Sequence, residues 1–146
     1  MDWVLEEHNK RNHQRHELAA IDQGMQKAWE QICEAISQTV YSYSGLPGAN
    51  RVELGPSTPD TVDMAVYRRR PTTLTPIPVE SDELLARATI KLDVARRAVV
   101  VTYLDGSEKT FPFAADAGGN VFLMHKNHRI TPAEFTKEAL RETLFA

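Results

Sequence analysis

The sequence predicts an α+β fold in which a long amphipathic helix lies across an antiparallel sheet. Apolar residues recur in steps of three and four between positions 18 and 40. From position 86 onward, apolar and polar residues alternate between turn signals. A short segment near the end carries an explicit helix start. Together these patterns predict one long N-terminal helix, a meander of about five strands, and a short C-terminal helix.

The long helix rests on Leu18, Ile21, Met25, Ala28, Trp29, Ile32, Ala35, Ile36 and Val40. That spacing places one apolar stripe along a helix, and the polar residues between them fall largely off it. Residues 2–43 contain no proline and a single glycine, Gly24. The spacing therefore predicts a helix over 17–43, stopped by Gly45, Leu46, Pro47 and Gly48. Residues 6–17 hold no apolar side chain, yet Trp3, Val4 and Leu5 precede them. A polar stretch buries no face, so residues 1–16 are expected as a polar arm or solvated helical extension. The single α+β domain is expected over 17–146.

Residues 45–60 are rich in Gly, Pro, Ser and Asn, and predict a loop with a short strand at 51–54. Val62, Met64 and Val66 alternate with Asp63, Ala65 and Tyr67 as in a strand. Residues 71–80 contain Pro71, Pro76 and Pro78, which cannot donate to a sheet ladder, so an extended loop or edge is expected.

Ala86, Ala88, Ile90, Leu92 and Val94 alternate with Arg87, Thr89, Lys91 and Asp93, which predicts a half-buried strand. Strands follow at 98–104, around Phe111 and Phe113, and at 121–124. A tight turn at Ala95 and Arg96 sets Leu92 opposite Val99, Ile90 opposite Val101 and Ala88 opposite Tyr103. Taking Asp105, Gly106 and Ser107 as a three-residue loop then sets Phe111 opposite Val101 and Phe113 opposite Val99. All of these apolar residues share one face, as an antiparallel sheet with one dry side requires. In the last segment, Thr131, Pro132 and Glu134 form an N-cap, a first helical residue and a capping box, with Ile130 and Phe135 spaced as a staple.

Composition narrows the functional classes. The chain has 146 residues, a net charge of -3, one cysteine, 42% hydrophobic and 25% charged residues. These are ordinary values for one globular domain. The mild charge argues against a general nucleic-acid binder, since such proteins carry a basic stripe. A lone cysteine forms no intrachain disulfide, and Cys33 sits among the apolar helical positions as a small hydrophobe. The first residues show no basic stretch followed by an apolar one, and no run approaches a membrane span. Cytoplasmic residence is the expectation, with no membrane partner.

No cofactor or catalytic motif stands out. His8, His13 and His16 crowd the polar arm without the further ligands and outer-shell support of a metal site, so no metal is expected. His125 and His128 flank a turn; with Tyr103 they are the polar groups to examine in any ligand pocket between helix and sheet. Gly118 and Gly119 lack the lysine and the strand-to-helix context of a phosphate loop. Arg68, Arg69 and Arg70 end a strand, where a solvated strand end competes with a docking patch for an acidic partner. Trp3 and Leu5 ahead of the polar arm favour an interaction or self-association role. Ala98 and Val100, on the second face of the sheet, are expected to add to it. The sequence therefore favours a non-enzymatic interaction module, with a small-ligand or enzymatic pocket as the alternative.

Overall fold

A computed structural model of the chain describes residues 2–69 and 83–146. Helix α1 (Asp2–Ser44) is followed by β1 (Arg51–Thr58), β2 (Thr61–Arg68), β3 (Glu83–Asp93) and β4 (Ala98–Tyr103). Next come β5 (Glu108–Ala115), β6 (Val121–His125), β7 (His128–Ile130) and helix α2 (Pro132–Leu144). The seven strands form one antiparallel meander in sequence order. Each strand therefore pairs with its chain neighbour, and no crossover is needed. Arg70 and the proline-rich stretch 71–80 lie outside the described residues.

The sheet has seven strands where about five were expected, and β1, expected only over 51–54, is longer than the pattern suggested. β1 spans the whole of 51–58 although Gly55 and Pro56 interrupt it. Proline is tolerated there because β1 stands at one end of the sheet order, where one side needs no ladder donor. β7 is only three residues long, too short to show alternation. Its turn is nevertheless distinct. Lys126 and Asn127 both have positive φ, at 49° and 64°, as a two-residue hairpin of right-twisted strands requires.

The β3–β4 register matches the sequence reading: Leu92 pairs with Val99, Ile90 with Val101 and Ala88 with Tyr103. The β4–β5 register is shifted by two residues. Phe111 pairs with Val99, and Val101 with Lys109, rather than Phe111 with Val101. The loop consists of Leu104, Asp105 and Gly106, with Ser107 already paired to Tyr103 at 2.9 Å. Gly106 sits at φ 84° and donates to the Tyr103 carbonyl at 2.9 Å. The Asp105 carboxylate accepts from the Ser107 N–H at 2.9 Å and from its hydroxyl at 2.6 Å. The left-handed position falls on the third loop residue, which suits glycine. An even shift leaves every side chain on its expected face, since strands repeat every two residues.

The dry face carries Met64, Val66, Ala88, Ile90, Leu92, Val99, Val101, Phe111, Phe113, Leu123 and Ile130, all buried. Against it lie Ile21, Met25, Ala28, Trp29, Ile32, Ile36 and Val40 of α1 and Phe135, Ala139, Leu140 and Leu144 of α2. The outer face is polar and paired. Arg87 meets Asp63 at 3.2 Å, Thr89 donates to Asp63 at 3.3 Å, and Arg96 reaches Glu108 at 3.3 Å.

Polar contacts tie α1 to the strand turns and to α2. The Trp29 indole donates to the Pro59 carbonyl in the β1–β2 turn at 3.0 Å. Thr39 donates to Thr136 of α2 at 3.2 Å. Arg97, at φ 50° in the β3–β4 turn, donates twice to Asp22, at 2.8 and 3.0 Å. That bidentate bond holds the Asp22 carboxyl below its ordinary range.

Candidate interaction surface

The stripe of α1 that covers the sheet begins at Ile21, its first buried residue. The helix itself starts at Asp2, so the polar residues 6–17 continue it. Residues 2–20 thus extend about 28 Å of helix ahead of the core. Within this arm Trp3 is 67% exposed and Leu5 62%, with Val4 and Leu18 also exposed. Large apolar side chains held clear of a core are what an interaction surface presents. Among the described residues, the side-chain hydrogen bonds of residues 2–16 are local: Arg11 to Glu7 at 3.0 Å and Asn12 to His8 at 3.2 Å. Farther along, His13, His16, Glu17 and Ala20 line a shallow groove with Ala115, Asp116, Ala117 and Gly119.

That groove borders a stiff loop. The Asp116 carboxylate accepts from the backbone N–H of Gly118 at 3.0 Å and of Asn120 at 2.9 Å, and from the Asn120 amide at 3.1 Å. The bonds from Asn120 lower the Asp116 pKa first, and Arg129, 3.7 Å away, assists. Gly118 and Gly119 therefore serve a self-contained turn, with Gly119 at φ 79°. Among the described residues, no group of three or more His, Cys, Asp or Glu side chains is arranged to hold a metal ion.

Tyr103, His125 and His128 do not share a pocket. The Tyr103 hydroxyl donates to the Ala139 carbonyl at 2.6 Å, so it docks α2 on the sheet. Burial, reinforced by the charge of Glu142, pushes its pKa up to about 12. His125 stacks obliquely on Phe111, with centroids 5.2 Å apart, and lies 3.7 Å from the Glu138 carboxylate. Lys109 donates to the Glu138 carbonyl at 3.1 Å. These polar groups converge on one stretch of α2, a convergence that spacing alone did not reveal. His128 pairs with His125 in register but is exposed.

Between α1 and the β5–β6 loop lie the groove at His13 and His16, of about 460 Å³, and a neighbouring one of about 360 Å³ lined by Gly24, Lys27, Gln31, Asn120 and Arg129 among others. A crevice of about 140 Å³ lies between α1 and the β6–β7 hairpin, lined by Ala28, Ile32, Val121, Leu123, Ile130 and Pro132 among others. Ligand pockets of drug-like size run from about 300 to 1,000 Å³. A larger recess of about 550 Å³ is an open groove beside the β4–β5 loop, lined in part by Tyr103, Leu104, Lys109 and Glu142.

Arg68 is exposed at the end of β2, 3.6 Å from Glu83, and Arg69 follows it, also exposed. Ala98 and Val100 differ from expectation: at 1% and 7% exposure they are buried on the outer face and present no docking patch. Their register neighbours, Asp93 and Pro112 for Ala98 and Lys91 and Thr110 for Val100, flank them closely. Cys33 is half-buried, and burial followed by the charge of Glu30 raises its pKa, which disfavours a reactive thiolate.

No helix of the described residues is long and apolar enough to cross a membrane. Comparison of the chain with protein-family models, with curated proteins and with solved structures finds no match.

Proposed function

We propose that this chain is a non-enzymatic interaction module that associates with itself through the projecting arm of α1. The observation carrying this reading is the exposure of Trp3 and Leu5 on a helix that runs well ahead of its own core. A polar helical segment of this length is marginal in water, because helices of this class take most of their stability from packing. A second surface would supply that packing.

The alternative, a ligand or enzymatic pocket at Tyr103, His125 and His128, has less support. Tyr103 is hydrogen-bonded to α2, His125 sits beside Glu138, and the open groove that Tyr103 lines includes neither His125 nor His128. Arg68 and Arg69 remain a minor site for an acidic partner.

The test is the solution mass of the full chain, by light scattering behind a sizing column over a broad concentration range. The wild type is expected to reach a dimer or larger species. Trp3→Ala combined with Leu5→Ala is expected to stay monomeric over the same range. Identical masses for the two would sink the reading.

A further inference from the structure

The charges of the arm are segregated along its length. Residues 2–7 hold Asp2, Glu6 and Glu7 and no cation. Residues 8–16 hold Lys10, Arg11 and Arg15 and no anion. The stripe that seats α1 on the sheet through Ile21, Met25, Ala28 and Ile32 also continues back along the arm. Its preceding positions, in strict steps of three and four, are Val4, Glu7, Arg11, Gln14 and Leu18. The face that binds the sheet therefore runs on, uncovered by the described residues, with an anion and a cation at its centre. Steps of three and four are the spacing of paired helices, and the polar Glu7, Arg11 and Gln14 at those steps would set register and orientation at a cost in affinity.

We infer that the occupant of this face is a second copy of the chain, its arm running antiparallel along residues 2–16. The inference rests on the self-association reading above and adds the orientation and the determinants. A parallel pair would set acid on acid and base on base. An antiparallel pair about a two-fold axis near residue 9 sets Glu7 of each copy opposite Arg11 of the other. In the same register Val4 meets Gln14 of the second copy, and Trp3 lies beside Arg15, where a guanidinium can cover an indole. Glu7 and Arg11 already pair within one helix at 3.0 Å. Two copies would join these pairs into one alternating network of four charges. Such charges at a helical interface set partner choice and orientation more than raw affinity. The overlap ends at residue 16, ahead of Ile21, so neither arm displaces the other copy from its own sheet. Trp3 and Val4 are the apolar members on the stripe and Leu5 stands to its side, so in this pairing the double substitution of Trp3 and Leu5 acts mainly through Trp3.

The experiment uses the full chain carrying Glu7→Lys, Arg11→Glu, or both together. Each single reversal is expected to raise the self-association Kd about tenfold or more, because like charges then face each other. The double variant restores both the intrahelical and the intermolecular pairing and is expected to associate as the wild type does. Labelled wild type mixed with unlabelled double variant decides the orientation. An antiparallel pair predicts no mixed species, since Glu7 would meet the new glutamate at position 11. A wild type that associates but mixes freely with the double variant, or ignores the single reversals, overturns this pairing alone. A wild type that stays monomeric at every concentration overturns the self-association reading as well.

Discussion

Gly24 shows how one residue sets the distance between helix and sheet. It is the single glycine within the first 43 residues, and glycine inside a helix costs about 1 kcal/mol relative to alanine. A Cβ built there would stand 2.5 Å from Cγ2 of Val121 on β6. The bare backbone thus lets α1 approach the sheet closely. Overpacking costs about 1–3 kcal/mol, against the gain of about 1 kcal/mol in helix propensity. Gly24→Ala is therefore expected to lower stability in chemical denaturation, and Val121→Ala in that background to recover most of the loss. A Gly24→Ala chain more stable than wild type would show that Val121 simply yields.

Tyr103 makes a second residue-scale case. Its hydroxyl anchors the α2 backbone, so Tyr103→Phe is expected to cost about 1 kcal/mol, the net worth of one hydrogen bond. Its pH dependence follows from a pKa raised from 10.0 to about 12 by burial. The neutral phenol is favoured in the folded chain. Its contribution is complete below pH 10, the ordinary tyrosine value, and is lost as pH rises through about 12. Wild type should therefore lose stability over that interval faster than Tyr103→Phe. Parallel pH curves for the two would contradict the assignment.

At the scale of elements, α2 is the most fully specified. Thr131 accepts from the Glu134 N–H at 3.1 Å while the Glu134 carboxylate accepts from the Thr131 N–H at 3.1 Å. Pro132 occupies the first turn. Both donors would otherwise be orphaned, so Thr131→Ala is expected to lower stability by about 1 kcal/mol, measured as a shift in the denaturation midpoint. The substitution leaves the core stripe of α2 intact, so α2 content by circular dichroism should change little before the transition. The hairpins were specified less completely. The β3–β4 register was readable because the apolar pairs were dense on both strands. In the β4–β5 hairpin the apolar pattern tolerates any even shift, and only the left-handed Gly106 and the Asp105 cap select one. β7 was hidden because His128 and Arg129 are polar and exposed, and a three-residue strand offers no periodicity.

For the whole molecule, the sequential strand order means that each strand pairs only with its neighbours in the order β1 to β7, while α1 and α2 close the dry face from one side. Among the described residues nothing covers the apolar side chains at the start of α1, which is why the molecular-scale expectation is association and why its test is a mass. The candidate surface was half legible. Trp3, Leu5 and the polar run were visible as anomalies of composition. That the run is helical, and so aligns Glu7 and Arg11 with the core stripe, required the helix to continue unbroken to Asp2.

The sequence by itself determined the fold class, the buried face of the sheet, the β3–β4 register and the cap of α2. Each is a matter of local periodicity or of hydrogen bonds within a few residues. Tertiary structure alone decided the rest. Arg97 reaches Asp22 across 75 positions, Tyr103 and Lys109 meet α2, and Gly24 makes room for Val121. Such contacts depend on how far one element is displaced and rotated over another. That placement follows from the packing of many side chains at once, and no local pattern encodes it.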